Sequence, residues 1–197
     1  MQTPERDGGH NLRVVWLFVA ALSCVCLGNI SGCTGEPESC GAVGATEVSL
    51  IDHKTWTVVP LKDDPFAADL SAEVTCGAGA YKVEGGALEF DTGICNFITL
   101  TQKTTHAAKS CDELRVVFWH LPLYAGKKGA PAYAALKVGD MMLLDERIDI
   151  GPDGVIEKSF QPRFRLQRSI AAGTDVYVHV NNHGLNTWTL LSVVARR

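Results

Sequence analysis

Three histidines in the second half of the chain have the chemistry of metal ligands. His120, His179 and His183 could together hold a divalent metal ion, because neutral imidazole is a common ligand of zinc and copper. The step from His179 to His183 spans about 13 Å along a strand at ~3.3 Å per residue, so only a reversal of the chain at 181–184 would bring the three together. The alternative is that His179 and His183 hydrogen-bond backbone groups and brace the hairpin that contains this turn.

A second candidate site overlaps the first and would bind a glycan. Asn182, His183 and Asn186 precede Trp188 in a segment rich in turn-forming residues. A tryptophan ring can stack on the apolar face of a sugar, while amide and imidazole groups hydrogen-bond its hydroxyls. We therefore predict that Trp188 is exposed and binds the ligand, and that Trp119 is buried. The alternative is that Trp188 also belongs to the core, since aromatic side chains dominate sandwich cores.

The sequence contains no pattern typical of catalysis. No serine after residue 33 lies in a G-x-S-x-G elbow, and neither an H-E-x-x-H motif nor a phosphate-binding glycine loop is present. The carboxylate pairs Asp63-Asp64 and Asp145-Glu146 would point to opposite faces of a strand, so neither pair can flank one bond. We expect a binding or structural protein and not an enzyme, with no cofactor beyond the divalent metal considered above.

Strands must position these side chains. From residue 47 onward, apolar and polar residues alternate with a period close to 2, and turn sequences rich in Gly, Asn and Asp separate the segments. Many short strands of this kind predict an all-β fold, an antiparallel two-sheet β-sandwich that is jelly-roll-like. One helical turn is expected at 106–109. The candidate strands are 47–51, 55–59, 69–75, 80–84, 87–91, 96–102, 113–120, 132–138, 141–148, 155–160, 164–170, 175–180 and 187–194.

The cysteines of this predicted domain favour two disulfides. Cys40, Cys76, Cys95 and Cys111 lie in or next to it, and no two of them have the C-x-x-C spacing of a metal site. Four cysteines allow three pairings. Cys76 and Cys95 bracket a hairpin-sized segment, so we favour Cys76–Cys95, which leaves Cys40–Cys111.

The N-terminal segment resembles the signal peptide of a bacterial lipoprotein. Its apolar run, residues 14–27, is shorter than the roughly 20 residues that a transmembrane helix needs. It leads to Ile30-Ser31-Gly32-Cys33, which resembles the lipobox recognised by signal peptidase II. The resemblance implies cleavage before Cys33, acylation of Cys33 and anchoring in a lipid bilayer. The alternatives are an uncleaved anchor helix and an ordinary signal peptide cut near Gly28.

This interpretation sets the domain boundaries and the compartment. Residues 1–32 are the signal peptide, 33–46 the lipidated cysteine and a polar tether, and 47–197 the β-sandwich. Thr34 stands in place of an aspartate after Cys33, which resembles a signal for the outer membrane of a bacterial cell envelope. The net charge of −4 and the lack of a basic cluster along the sequence argue against nucleic acid as a partner.

Two wider resemblances concern the β-domain. Its strand order is similar to that of jelly-roll modules of the galactose-binding and carbohydrate-binding kind. The segments Cys95-Asn96-Phe97, Phe118-Trp119-His120 and Asn182-His183-Gly184-x-Asn186-x-Trp188 resemble, over about residues 70–194, a group of uncharacterised bacterial surface lipoproteins, which implies no activity. Together these features predict a membrane-anchored envelope lipoprotein that binds a glycan or another envelope component. A metal-binding domain, or a structural protein without a ligand, is the alternative.

Overall fold

The computed structural model describes residues 40–70, 73–182 and 184–197. The predicted signal peptide at 1–32, the lipidated Cys33, residues 34–39 of the tether and His183 lie outside the described residues. Within the described part of the chain, no helix is long and apolar enough to cross a membrane. Ser39–Arg197 form one compact unit. Both sheets, both disulfides and the whole apolar core described below lie inside this unit, so it contains what it needs to fold by itself.

Two antiparallel sheets packed face to face make up this unit, which confirms the predicted all-β sandwich. Its strands are short, as the turn spacing of the sequence predicts. In chain order they are β1 (Glu47–Ser49), β2 (Thr57–Val58), β3 (Tyr81–Glu84), β4 (Ala87–Asp91), β5 (Phe97–Lys103), β6 (Glu113–His120), β7 (Ala130–Val138), β8 (Met141–Ile150), β9 (Lys158–Phe160), β10 (Arg163–Arg165), β11 (Asp175–Asn182) and β12 (Thr187–Arg196), with short 3-10 helices at Leu61–Asp63 and Ala67–Asp69.

The two sheets differ in size and strand order. The seven-stranded sheet has the order β10-β6-β12-β4-β3, and β1 and β9 pair with the remaining ends of β12 and β6. The five-stranded sheet has the order β2-β5-β11-β7-β8. β11 and β12 belong to different sheets, so the chain passes from one sheet to the other between them. They do not form the hairpin that the sequence suggested.

Alternation along each strand places the apolar side chains between the sheets. In β11, Val176, Val178 and Val180 are fully buried in the main core, while the residues between them face outward. In β6, Leu114 and Phe118 do the same. Full burial of such a side chain contributes roughly 1.5–3 kcal/mol, so the paired inner faces hold the sandwich together.

A second, smaller apolar cluster lies on the outer face of the five-stranded sheet. Phe66 packs there against the side chains of Phe97 and Tyr133. The backbone carbonyl of Asp69 accepts a hydrogen bond from Nδ2 of Asn181 at 3.1 Å. The segment around Phe66 therefore lies across this sheet. The strand predicted at 69–75 is absent from the described part of that range, because Asp69 is held by a side chain of the sheet and not by a neighbouring strand.

The helical turn predicted at 106–109 is also wrong. Ala108 forms an isolated antiparallel bridge with Ile170, and the backbone hydrogen bonds between them measure 2.9 and 2.8 Å. The strands predicted at 155–160 and 164–170 are confined to the shorter β9 and β10. In each case pairing with a distant segment decides the local structure.

The two disulfides are Cys40–Cys111 and Cys76–Cys95, the pairs favoured from the sequence. Cys40–Cys111 ties the first described residue to the segment before β6, over a sequence separation of 71. The guanidinium of Arg165 also donates a hydrogen bond to the carbonyl oxygen of Gly41. The chain is thus attached to the sandwich from Cys40 onward, and the predicted tether ends there.

We predict that the longer disulfide contributes more to stability than the shorter one. In the loop-entropy view, Cys40→Ser/Cys111→Ser lowers the free energy of unfolding by about 4 kcal/mol, and Cys76→Ser/Cys95→Ser by about 3 kcal/mol. Urea denaturation of the fragment 34–197 measures both losses. Detection of four reactive thiols in the denatured, unreduced parent fragment would contradict the pairing.

Candidate functional site

Asn186, in the segment between β11 and β12, is held in place by its contacts and is not open to a ligand. Asn186, which is 3% exposed, accepts a hydrogen bond at Oδ1 from the backbone nitrogen of Tyr124 at 2.6 Å and donates from Nδ2 to the Tyr124 carbonyl at 3.1 Å. A Cβ on Gly184 would collide with that same carbonyl and lie 2.6 Å from Nδ2 of Asn186. Asn186 therefore docks this segment against residue 124, in place of the predicted role of a ligand-binding residue.

Trp188 is a core residue, which corrects the prediction that it is exposed. Its side chain is fully buried. The ring centroid lies 4.8 Å from that of His120 and 6.0 Å from that of Phe118. Truncation of a buried tryptophan typically costs about 3–5 kcal/mol, so Trp188 serves packing and cannot stack on an external ligand.

Asn182 is also fully buried and faces the core from the opposite sheet. It continues the inward series of Val176, Val178 and Val180 along β11, two residues beyond the last valine. Among the described residues, neither polar atom of its side chain has a hydrogen-bond partner. The sandwich interior encloses Asn182, so the predicted contact of its amide with an external glycan is wrong.

The structure does not bring His120 and His179 together. His120 faces the core between the sheets, where it packs against Trp188. His179 lies on the outer face of the five-stranded sheet, stacked on Phe66 with ring centroids 4.8 Å apart. The thickness of that sheet separates the two imidazoles. In the described residues, no group of three or more His, Cys, Asp or Glu side chains is placed to hold a metal ion.

His179 is held as a neutral imidazole. It is fully buried, and its Nδ1 forms a hydrogen bond with Oγ1 of Thr99 at 2.7 Å. Burial lowers the pKa of His179 to about 3. Burial also lowers the pKa of His120, whose Nδ1 lies 2.7 Å from the carbonyl oxygen of Leu121. Both histidines are thus buried side chains of the fold. That His179 and His183 together brace the turn stays a prediction, because His183 lies outside the described residues.

Trp119, and not Trp188, is the tryptophan that reaches the surface of the sandwich. Its neighbours in β6, Phe118 and His120, are fully buried and face the core, so Trp119 lies on the outer face of the seven-stranded sheet. It is partly exposed, whereas the other tryptophans of the described residues, Trp56 and Trp188, are buried. The sequence does carry the signal: Glu113, Arg115, Val117 and Trp119 alternate with the apolar series, and charged residues mark the face that meets water.

Hydrogen-bonding side chains flank Trp119 in one row across the sheet. Strand pairing places Ser159 on one side of Trp119 and Thr189 on the other. Beyond Thr189 the row continues with Glu89 and then Lys82. The Lys82 ammonium lies 3.2 Å from a carboxylate oxygen of Glu89. Side chains directly opposite on neighbouring strands are about 4.5–5.5 Å apart at Cβ, so the row holds these groups close together. Thr189 itself is only 1% exposed, and the side chains on either side of it form the accessible part of the row.

A depression of about 280 Å³ adjoins this row. Lys82 and Glu89 belong to both, and Asp91 and Thr187 add a carboxylate and a hydroxyl at the next position along β4 and β12. Asp91 is braced, because its Oδ1 accepts a hydrogen bond from the backbone nitrogen of Gly93 at 2.8 Å. The outer face of the seven-stranded sheet thus combines an accessible indole ring with several fixed polar groups. We call it the Trp119 face.

Two other concave regions suit a sugar less well. A groove of about 410 Å³ between the edge strands β2 and β3 is lined mainly by apolar side chains, among them Val58, Val74 and Tyr81. On the outer face of the five-stranded sheet, the Arg147 guanidinium lies 2.9 Å from Asp69 and 3.9 Å from the centroid of the Tyr133 ring. The first region has few polar side chains, and two of them, Asp64 and Thr99, already bond Phe66 and His179. In the second region Arg147 and Asp69 are already paired.

We predict that His179 makes the domain sensitive to mild acid. The unfolded imidazole takes up a proton near pH 6.5 and the folded one only near pH 3, so stability falls as the pH drops through this window, by up to about 1.4 kcal/mol per pH unit. Between pH 7 and pH 5 the loss should be about 2 kcal/mol smaller in His179→Gln than in the parent. Urea denaturation at both values measures this, with the exposed His106→Gln as control. An unchanged pH dependence in His179→Gln would contradict a buried, neutral His179.

Comparison with known proteins finds solved structures that are similar to this chain but no matching family. No protein-family model and no curated protein matches the chain. Solved structures similar to it include TmCBM61 in complex with β-1,4-galactotriose (15% identity, TM-score 0.39, covering 76% of this chain and 99% of that one). They also include a cyclase from Fischerella sp. TAU (12% identity, TM-score 0.41, covering 73% of this chain and 84% of that one). A third is the arabinose-bound MgGH51 α-L-arabinofuranosidase (9% identity, TM-score 0.38, covering 72% of this chain). The chain spans only 23% of the length of that protein. These likenesses describe the β-sandwich and not its ligand.

Proposed function

We propose that this domain is a glycan-binding module whose ligand stacks on Trp119. The observation that carries the proposal is a partly exposed tryptophan, in register with hydrogen-bonding side chains, on the outer face of the sheet. An indole ring offers a flat apolar surface to the C–H face of a sugar. Strands fix the ring and its neighbours before binding, which reduces the entropy cost of association.

The polar groups beside Trp119 supply both kinds of hydrogen bond that sugar hydroxyls need. Glu89 accepts hydrogen bonds, Lys82 donates them, and the Ser159 hydroxyl does either. The ion pair between Lys82 and Glu89 is exposed enough to exchange partners, with side-chain exposures of 60% and 26%. A surface ion pair of this kind contributes little to stability, so a ligand hydroxyl can replace it at small cost.

We further propose that the domain is a binding module rather than an enzyme, and that it is displayed on a membrane. The lack of catalytic motifs in the sequence supports the first point. The lipobox-like Ile30-Ser31-Gly32-Cys33 and the two disulfides support the second, because structural disulfides persist in exported proteins. Since the sandwich is attached from Cys40 onward, an acylated Cys33 would hold it within about 25 Å of the bilayer surface at ~3.5 Å per residue.

We predict that Trp119→Ala abolishes glycan binding without unfolding the domain. The fragment 34–197 is screened on a glycan array, and the best ligand is titrated by calorimetry. Trp119→Ala should lower its affinity at least about tenfold, which corresponds to the loss of an aromatic stacking contact. The melting temperature should stay close to that of the parent, because the ring is not part of the core.

Tyr177→Ala is the matched control, because Tyr177 is a partly exposed aromatic residue on the outer face of the other sheet. It should leave the affinity unchanged. An array on which no glycan binds, or a ligand that Trp119→Ala binds as tightly as the parent does, would overturn the proposed function.

We predict that Cys33→Ser releases the protein from the membrane. If acylation of Cys33 is the anchor, the variant loses its acyl chains and, with them, stable membrane attachment. Metabolic labelling with a fatty acid, followed by cell fractionation, measures both. Label that persists on the Cys33→Ser protein would exclude this cysteine as the lipidation site.

A further inference from the structure

Strand pairing assembles an arginine cluster that the sequence does not show. On the outer face of the seven-stranded sheet, Arg163 of β10 lies directly opposite Arg115 of β6. Arg165 lies beside them on β10, and Arg196 of β12 lies opposite Glu113 of β6. Like charges directly opposite each other in a sheet are unfavourable, so the Arg115–Arg163 pair needs an explanation other than stability.

The carboxylates of this surface do not balance its arginines. Glu113 is shared between Arg163 and Arg196, each at 3.7 Å. Glu47 is shared between Arg196 at 3.3 Å and Arg115 at 3.9 Å. Two carboxylates are thus shared by three guanidinium groups, at N–O distances of 3.3 to 3.9 Å.

The arginine side chains of the cluster are partly open to solvent. Within the described part of the chain, Arg165 has one hydrogen bond, to the carbonyl oxygen of Gly41. Glu113, directly opposite it, is already shared by Arg163 and Arg196, so Arg165 adds a second positive charge without a carboxylate of its own. Among the described residues, Nε of Arg115 is buried without a hydrogen-bond partner. The side chains of Arg115 and Arg163 nevertheless remain 30% and 52% exposed. The sequence as a whole carries a net charge of −4, so this local positive surplus runs against the average of the chain.

The arginine cluster and Trp119 share one strand face. Arg115, Val117 and Trp119 follow each other on the outer side of β6. At about 3.4 Å per residue, Arg115 lies about 13 Å from Trp119 along the strand. An extended oligosaccharide of a few sugars can reach from the indole ring to the guanidinium groups. Near Trp119 the ammonium of Lys82 is shared by Glu84 and Glu89, and Asp91 adds a further carboxylate. The acidic group of a ligand would therefore lie at the arginine end of β6, away from these carboxylates.

We infer that the glycan bound by the Trp119 face is acidic and lies along β6, with one sugar stacked on Trp119 and a carboxylate or phosphate group held by Arg115 and Arg163. This inference rests on the proposed function and names its ligand class. Guanidinium groups bind carboxylates and phosphates through paired, charge-assisted hydrogen bonds. An anion seated between Arg115 and Arg163 relieves the repulsion between them. A flat anionic membrane is a poorer occupant, because it would also bring its negative headgroups against the carboxylates of Glu89 and Asp91 on the same face.

The test uses the fragment 34–197 on an array that carries uronate-containing, phosphorylated and neutral oligosaccharides. Acidic oligosaccharides should be the ones retained, and the affinity of the best one should fall with rising salt concentration. Arg115→Gln/Arg163→Gln should lower that affinity at least about tenfold and weaken its dependence on salt. Lys103→Gln/Arg147→Gln removes the same charge from the outer face of the five-stranded sheet and should change the affinity less than about twofold.

The outcomes separate the inference from the proposed function. If neutral glycans bind through Trp119 and the double arginine variant binds them as well as the parent does, the inference is wrong and the proposed function stands. If no oligosaccharide binds, both are wrong. The third case is a membrane contact. It is tested with vesicles of phosphatidylcholine that contain about 30% phosphatidylglycerol. If the parent binds these vesicles but no oligosaccharide, and Arg115→Gln/Arg163→Gln no longer binds them, the cluster contacts a lipid surface and the inference is wrong.

Discussion

The burial of two sheet faces against each other is the constraint on which the rest of the structure depends. Side chains alternate between the two faces of a strand. When the apolar residues of a strand face the core, the residues between them must face outward. In β6 the same rule buries His120 and exposes Trp119. In β11 it buries Asn182 with the valines and sends His179 to the outer face. Accessibility, and with it function, follows from this alternation.

The two outer faces are used differently. The segment around Phe66 lies over the outer face of the five-stranded sheet, where it covers His179 and pairs Asp69 with Arg147. On the seven-stranded sheet, Trp119 stays accessible at one end of β6, and arginines gather at the other. This second face has the combination of flat apolar surface, hydrogen-bonding groups and unbalanced charge that a rigid recognition surface requires.

The sequence was sufficient for the fold class and the pairing of the cysteines, because both depend on local pattern and spacing. It failed for Trp188, since the turn-forming residues around it suggested exposure while the alternation with Leu190 places it inside. The same rule would have identified Trp119. The arginine cluster was beyond the sequence, because Arg115, Arg163 and Arg196 come from three strands that only the register of the sheet aligns. The segment around Phe66 was equally inaccessible, since its structure is decided by the sheet beneath it.

The most direct test of the account is to observe the indole N–H signals of Trp56, Trp119 and Trp188 in ¹H–¹⁵N spectra of the fragment 34–197. An acidic oligosaccharide selected on the array is added in steps. The account predicts that the Trp119 signal shifts in a saturable manner, together with the side-chain Nε–H signal of Arg115, while the signals of Trp56 and Trp188 stay in place. A saturable shift at Trp188 without one at Trp119, or shifts confined to Tyr177 and its neighbours, would contradict it.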